Sequence, residues 1–567
     1  MRPQSPARRT TPALLASVLA VTALAAILAY YVDRLFLPQP IYAGDVGAYL
    51  INALYSRADA ARDPLTPEVA DSVFLMGLRA LHAISVHDLL WARVASLCAY
   101  CGGLIAFHRA TTRGLAVRER WAFLLLALAF PYYRFVVAVL PEGAYVAALA
   151  AISVATVALY ASRPLLHAVA AGALTAVLAL IKPHGVTVLA ALGGLIALDA
   201  VLTRRPAQGA LRLVVLGAAF LAVGNAIQLG AGQTIRGPLT FFTGDYYDQA
   251  LSLSPPPGAA MLGVLAAVSM VSALALFAGP PCTVALAEIA GRWRTERRGL
   301  RLRGEDAAVL LLMLAALATV AMVSLYAEKV ARDPGETRRL WGRYFEFFAP
   351  LLWLAAAPHL VRWARSAGAR SRIACAGVML AGLAGLLLSF RAGIVLFPWD
   401  ATALTAFFQP DPVRAILGVR LPYRGLAVAA SLAAALAIAR RAPPWRVAAV
   451  YFLALGLLST WLDHVWVGPV AQKRREFSAD VQVAARLMPG GPERNAALVV
   501  DNNDAHLSFL GLNGRVQIIY VQAGAPLPPS ALAFDNVMVL SPAVPPVGWP
   551  CRYRGKQLAV CVRPGGS

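Results

Sequence analysis

The chain has 567 residues, 59% of them hydrophobic and only 14% charged, with a mean hydropathy of +0.64. A soluble domain carries roughly 25% charged residues, so these values exclude a soluble enzyme or binding module and imply an integral membrane protein. The formal net charge of +22 would suit nucleic acid, but the basic residues cluster in short loops between apolar runs, where the positive-inside rule puts them. No nucleic-acid partner is expected. Only Lys182, Lys329, Lys473 and Lys556 among the 51 basic residues are lysine, which reads as a coding bias towards arginine without functional content.

Arg2, Arg8 and Arg9 precede an apolar run over 12–32. Ala23-Leu24-Ala25 resembles a signal-peptide cleavage site, but the run continues past it, and ~20 residues make a full span. An uncleaved first helix with a cytoplasmic N-terminus is expected. Further runs of spanning length lie at 89–108, 121–139, 141–161, 165–181, 184–202, 210–229, 258–280, 306–327, 344–361, 373–397, 423–439 and 446–467, the third interrupted by Pro131. Alternating these thirteen spans from an inside N-terminus puts the Arg-rich loops 108–120, 202–212, 291–303, 362–372 and 440–446 inside, in agreement with the charge bias. The C-terminus then lies outside.

The outside loops are longer and mixed in charge. The first, 33–88, carries Asp45, Asp59, Asp63, Glu68 and Asp71, and its stretch 71–85 has the helical apolar spacing of a surface helix. From Gly468 the character changes. Residues 476–487 read as a helix, and 497–501, 516–521 and 536–540 as short buried strands. The expected architecture is an α-helical polytopic membrane domain over 1–467 and a small exported α/β domain over 468–567. Cys551 and Cys561 flank a hairpin-like stretch of that domain, and in an oxidising compartment they would pair. Cys98 and Cys101 lie in an apolar run without ligand-spaced neighbours and read as packed small residues.

Chemistry at a membrane surface needs a base, cations to hold a leaving phosphate, and a groove for lipid. Asp45, in Ile41-Tyr42-Ala43-Gly44-Asp45-Val46-Gly47, can present a carboxylate just past the first span. It can equally be the N-cap of a helix from Val46 to Tyr55. Pro141-Glu142 opens the fourth span with ordinary helix-start chemistry, yet Glu142, close to Tyr132, Tyr133 and Arg134, could also bind a sugar hydroxyl. Lys182-Pro183-His184-Gly185 forms an outside turn able to grip a phosphate, although a lysine at a span end also snorkels. Arg338, Arg339, Arg343 and Tyr344 precede the tenth span. Outside arginines gain nothing from the topology rule, which favours anion binding.

Three further groups carry weaker signals. Gly244-Asp245-Tyr246-Tyr247-Asp248 reads as an acceptor loop or a solvated turn, and Arg391, Asp400 and Arg424 as bilayer-edge ion pairs. Asp501-Asn502-Asn503-Asp504 lacks the Gly and distal Glu of a calcium loop and reads as a strand-ending turn.

Together, Asp45, the broken third span leading to Pro141-Glu142, the 182–185 turn and Arg343-Tyr344 resemble the GT-C class of polytopic glycosyltransferases. Thirteen spans with an exported C-terminal domain look like its bacterial branch, which contains the lipid A aminoarabinose transferase and the protein O-mannosyltransferases. The resemblance implies a multi-pass protein of the bacterial inner membrane with a periplasmic active site and a polyprenyl-phosphate-linked sugar donor. The acceptor would be an envelope glycolipid, glycan or protein. It further implies Asp45 as base, with Tyr42, Glu142, Lys182, His184, Arg343 and Tyr344 binding substrate. Many members carry paired acids in the first loop, whereas here Gly44 precedes Asp45 and Val46 follows. No cofactor is assigned, and a divalent metal stays an open alternative. The rival reading is a transporter or lipid flippase using Lys182 and His184 as pathway residues.

Overall fold

In this computed structural model the described residues are 11–37, 43–55, 73–85, 87–230, 259–295, 302–329, 338–396, 400–408, 423–523 and 529–564. The helices, in chain order, are α1 Thr11–Leu35, α2 Ala43–Leu54, α3 Val73–Ile84, α4 Asp88–Thr112, α5 Val117–Ala129 and α6 Tyr133–Val136. Next come α7 Glu142–Leu159, α8 Pro164–Ile181, α9 Gly185–Thr203, α10 Pro206–Gly230, α11 Ala259–Thr295 and α12 Gly304–Lys329. They are followed by α13 Phe348–Ala355, α14 Ala357–Ser366, α15 Ala369–Arg391, α16 Tyr423–Ala439, α17 Pro444–Leu487 and α18 Asn502–Gly511. The strands are β1 Asn495–Val499, β2 Gln517–Tyr520, β3 Asn536–Leu540, β4 Cys551–Arg554 and β5 Leu558–Val562.

Ten helices among the described residues are long and apolar enough to cross a membrane, or eleven if the bent pair around Ala356 is one span. The chain is a multi-pass membrane protein. Ten of the thirteen apolar runs are these helices, and the run at 344–361 is the bent pair, turning by 56°. The run at 423–439 becomes the 17-residue α16. The run at 121–139 is no simple span. It divides into α5 and the four-residue α6, because Pro131 lacks the N–H that helix continuation needs. Glu476–Leu487 is not a separate helix either: α17 runs unbroken for 44 residues from Pro444 and carries the last span into the C-terminal unit.

That unit holds a five-stranded mixed sheet of order β2-β1-β3-β5-β4. β1 pairs parallel with β2 and β3, while β5 runs antiparallel to β3 and β4. α18 connects β1 to β2. Asp501 is its N-cap and accepts a hydrogen bond from the Asp504 amide at 2.8 Å, so the 501–504 segment is a helix start rather than a plain turn. Cys551 and Cys561 face each other across β4 and β5 and form a disulfide.

The unit grips the first loop. Ile51 of α2 is fully buried among Phe477, Val481, Phe509 and Leu512, and Tyr55 packs edge-on to Phe509 at 5.0 Å. On its other side α2 meets α3, where Arg79 donates to the carbonyls of Asn52 and Ala53 at 3.1 Å each. Those are acceptors a helix end leaves unsatisfied. Gly47 lies against α18: a Cβ there would sit 2.5 Å from His506 Cβ.

Gly47→Val should therefore cost stability through overpacking, by about 1–3 kcal/mol, while Gly77→Ala on α3, with open space around it, should be near neutral. Denaturation of detergent-solubilised protein measures both, and equal midpoints would refute the close α2–α18 approach.

Burial and the neighbouring Asp501 charge push the Asp504 carboxyl up to about 6 against the pull of Arg474 and Lys473. Its unfolded pKa is about 3.9, so the folded state binds more protons between the two values. The contribution to stability is full at the acid end of that window and falls as pH rises through about 6. Corrected amide protection of α18 should decline over this range in wild type and flatten in Asp504→Asn. The same decline in both proteins would discard the effect.

Candidate functional site

α8 runs from the 160–163 turn to the 182–185 turn, so these mark opposite ends of the bundle, here the lower and the upper end. Three breaks in helical backbone meet at the upper end: residues 130–141, 339–347 and 400–408. Backbone of this kind at membrane depth is tolerated only when buried in protein that satisfies it, and buried side chains do so here. Glu346, fully buried, accepts from the amides of Thr402 and Leu404 at 2.9 Å each and from Thr402 Oγ1 at 3.0 Å. Tyr132 Oη donates to the Arg343 carbonyl at 2.6 Å. Arg134 pairs with Asp463 of α17, which also accepts from Tyr30 at 2.6 Å and lies 3.7 Å from Arg34 of α1.

Above this frame lies a cluster of charged and aromatic groups. Lys182 Nζ donates to Glu142 Oε1 at 2.8 Å, with both side chains at least nine-tenths buried. The Lys182 ammonium also sits over the Tyr344 ring at 4.2 Å. His184 stacks on the same ring, 4.5 Å between centroids and 8° from parallel. Arg343 donates to Tyr344 Oη at 3.0 Å, and its guanidinium lies 5.0 Å from the ring centre. Trp341 packs at 5.7 Å from Tyr344 and carries the Arg339 guanidinium over its own ring at 4.0 Å. Glu142 Oε2, buried, accepts no hydrogen bond.

Of the residues named from the sequence, Glu142, Lys182, His184, Arg343 and Tyr344 thus come from three separate elements to one aromatic-lined cluster. Asp45 is the third residue of α2, inside the first helical turn; it does not precede a helix from Val46 as an N-cap would. A carboxylate in a first turn is favoured by the helix dipole. Tyr42 and Asp59, Asp63, Glu68 and Asp71 lie outside the described residues, as does Gly244–Asp248. Asp400 pairs with Arg339, at 2.6 Å from Nε, rather than with Arg391 or Arg424. Sequence reasoning passed over Glu346, Asp463 and Trp341. For Asp463 a signal existed, since an acid inside an apolar run demands a partner. Glu346 gave none, because its partners are backbone amides far away in sequence. A cavity of about 330 Å³ lined by Tyr160, Asp199, Arg205 and Arg212 lies at the lower end and takes no part in the cluster.

No family model and no curated protein matches the chain by sequence. Two crystal structures of ArnT from Cupriavidus metallidurans, one bound to undecaprenyl phosphate and one in the apo state, are similar to it. Each is 15% identical over 96% of this chain and 98% of its own, with TM-scores of 0.48 and 0.47. The arabinosyltransferase EmbB from Mycobacterium smegmatis is similar over 79% of this chain and 41% of its own, at 18% identity and a TM-score of 0.43.

The Glu142–Lys182 pair gives a direct test of the cluster's energetics. Removing one member leaves a buried charge uncompensated, which costs about 3–5 kcal/mol, whereas removing both is far milder. Lys182→Met should thus lower the thermal midpoint of purified protein sharply, and Glu142→Gln combined with Lys182→Met should recover most of the loss. Strictly additive losses would show that the two groups do not depend on each other.

Proposed function

We propose that this chain is a membrane glycosyltransferase that moves a sugar from a polyprenyl-phosphate donor to an acceptor at the periplasmic face of a bacterial inner membrane. The observation that carries the reading is the convergence of Lys182 and Arg343 on one aromatic-lined cluster with Glu142. Lys182 and Arg343 bring two cations to the Tyr344 ring, at 4.2 Å and 5.0 Å from its centre, an arrangement that suits a phosphate diester. Cations fixed before reaction stabilise a leaving phosphate without reorganising. The His184–Tyr344 stack offers a flat apolar face for a sugar ring, and Glu142 Oε2 an acceptor for one of its hydroxyls.

In the proposed reaction the acceptor hydroxyl attacks the anomeric carbon and the bond from that carbon to the phosphate oxygen breaks. Polyprenyl phosphate leaves with the bonding electrons, and the hydroxyl proton passes to a base. Asp45 is assigned that role. It sits in the first turn of α2, just beyond the first span, and α2 is clamped by both α3 and the C-terminal unit. Glu142 is the poorer choice, since Lys182 engages one of its oxygens. The Cys551–Cys561 disulfide and the Arg-rich lower loops support an outward-facing C-terminal unit.

Membranes containing the full chain, supplied with a radiolabelled polyprenyl-phosphate sugar, should show transfer. Asp45→Asn should reduce it by about 100-fold or more while leaving expression and thermal stability near wild type. Arg343→Ala should weaken donor use by roughly ten-fold, since a charged hydrogen bond contributes ~1.5–3 kcal/mol. A chain that moves labelled lipid across the bilayer without transferring sugar would replace this reading with a flippase.

A further inference from the structure

At the lower end of the bundle, α11, α12 and α14 meet around a second set of charged side chains. Thr319 of α12 touches Thr187 at the upper end, 2.9 Å between hydroxyl oxygens, and Asp306 lies 13 residues earlier on the same helix. At about 1.5 Å per residue the two ends are roughly 20 Å apart, so this set cannot reach the Glu142 cluster. We propose that Glu305, Asp306 and His359 bind a divalent transition-metal ion, with zinc the best fit, which ties α12 to α14.

Ligand atoms of Glu305, Asp306 and His359 all lie within 4.8 Å of one another. His359 and Asp306 are completely buried, and His359 Nε2 and Asp306 Oδ1 face each other at 3.4 Å without a hydrogen bond between them or to anything else. His359 Nδ1 lies 3.0 Å from Glu288 Oε2. The shorter contact, to the carboxylate, assigns a proton to Nδ1, which leaves the 3.3 Å approach of Arg362 Nη2 without an acceptor there. In the neutral ring Nε2 then carries a lone pair, with a carboxylate oxygen 3.4 Å away. That arrangement is repulsive unless a cation sits between them. Tetrahedral zinc with bonds of about 2.0–2.1 Å separates its ligand atoms by about 3.3 Å, which matches the observed gap.

The surroundings fit the same ion. Metal-binding histidines ordinarily donate their other ring N–H to a carboxylate, and Glu288 fills that place, itself held by Arg362 Nε at 2.9 Å. Asp306 Oδ2 is occupied by Arg292 and by the Arg303 amide at 2.8 Å, which leaves Oδ1 as the oxygen to bind metal. Glu305 Oε1 accepts from Arg362 at 2.7 Å. Three carboxylates (Glu288, Glu305 and Asp306) meet Arg292, Arg362 and, at 3.8 Å from Glu305, the half-exposed Arg303, so the cluster with a neutral histidine carries no net charge. One imidazole with two carboxylates selects a zinc-like ion over calcium or magnesium, which prefer all-oxygen shells.

The full chain, purified in detergent without an affinity tag and stripped with a chelator, should take up one equivalent of cobalt(II). Uptake should give visible absorption of a low-coordinate site, which zinc then displaces. Zinc should also raise the thermal midpoint of the stripped protein. Asp306→Asn and His359→Gln should lose the absorption, and the less buried Glu305→Gln should weaken binding at least ten-fold with folding preserved. X-ray absorption on wild type should show a single imidazole among oxygen neighbours, a readout that needs no variant. Stripped wild type that binds no cobalt, or variants that bind as much as wild type, overturns the site. A protonated His359 bridging Glu288 and Asp306 then takes the ion's place.

Discussion

Inside a bilayer no water is at hand for a broken helix, so each backbone group that leaves the helical ladder must find a partner within the protein. Three breaks at the upper end of this bundle, around Pro131, Trp341 and Asp400, impose that demand at one place. The chain meets it with side chains that are costly to bury. Glu346 serves two amides and a hydroxyl of the 402–404 segment, and Arg134 with Asp463 ties the first break to the last long helix. The cluster of Lys182, His184, Arg343 and Tyr344 is laid on this frame. Arg343 and Tyr344 reach it through the second break, which an uninterrupted helix would not allow, while Lys182 and His184 come from the turn between α8 and α9.

The two ends of the bundle use charge differently. At the lower end many arginines lie in short turns, where they set orientation, although Arg212, Arg292 and Arg362 pair with acids. At the upper end the cations are placed against aromatic rings and single acids. Arg339 lies over Trp341 and Lys182 over Tyr344, contacts that strengthen as water is removed. The difference has a physical root, since a solvated arginine in a turn is screened within about 8–10 Å at ordinary salt, whereas a desolvated one is not.

The spans were legible in the sequence because an apolar run of about 20 residues has few other uses. Individual residues at the upper end were legible for a related reason: Lys182 and Arg343 interrupt such runs where the topology rule gives them no benefit. What local patterns could not show was pairing. Asp400 could have met Arg391 or Arg424 and instead meets Arg339, because the register between distant segments is set by packing. The helix start of α2 was misjudged by three residues. Gly44 reads as a turn residue, yet α2 continues through it, its far end tied by Arg79 carbonyl contacts and the Ile51 anchor. The unbroken passage of α17 into the C-terminal unit was hidden by the end of the apolar run at 467, because the helix continues through polar sequence with Pro469 inside it.

That passage has a mechanical consequence for the first loop. α17 starts at the lower end, crosses the bundle past Asp463 and supplies Phe477 and Val481 to the core that buries Ile51 of α2. The position of α2 is therefore referred to the membrane helices by two routes. One runs through α3, and the other through α17 and α18, where Gly47 permits backbone approach to His506. A helix held on one side only would swing about that contact, whereas held on two it keeps its first turn, and so the backbone of Asp45, at a constant place relative to Arg134 and Asp463. The C-terminal sheet needs no chemistry of its own to matter for the site, because its core is half of the clamp that locates α2.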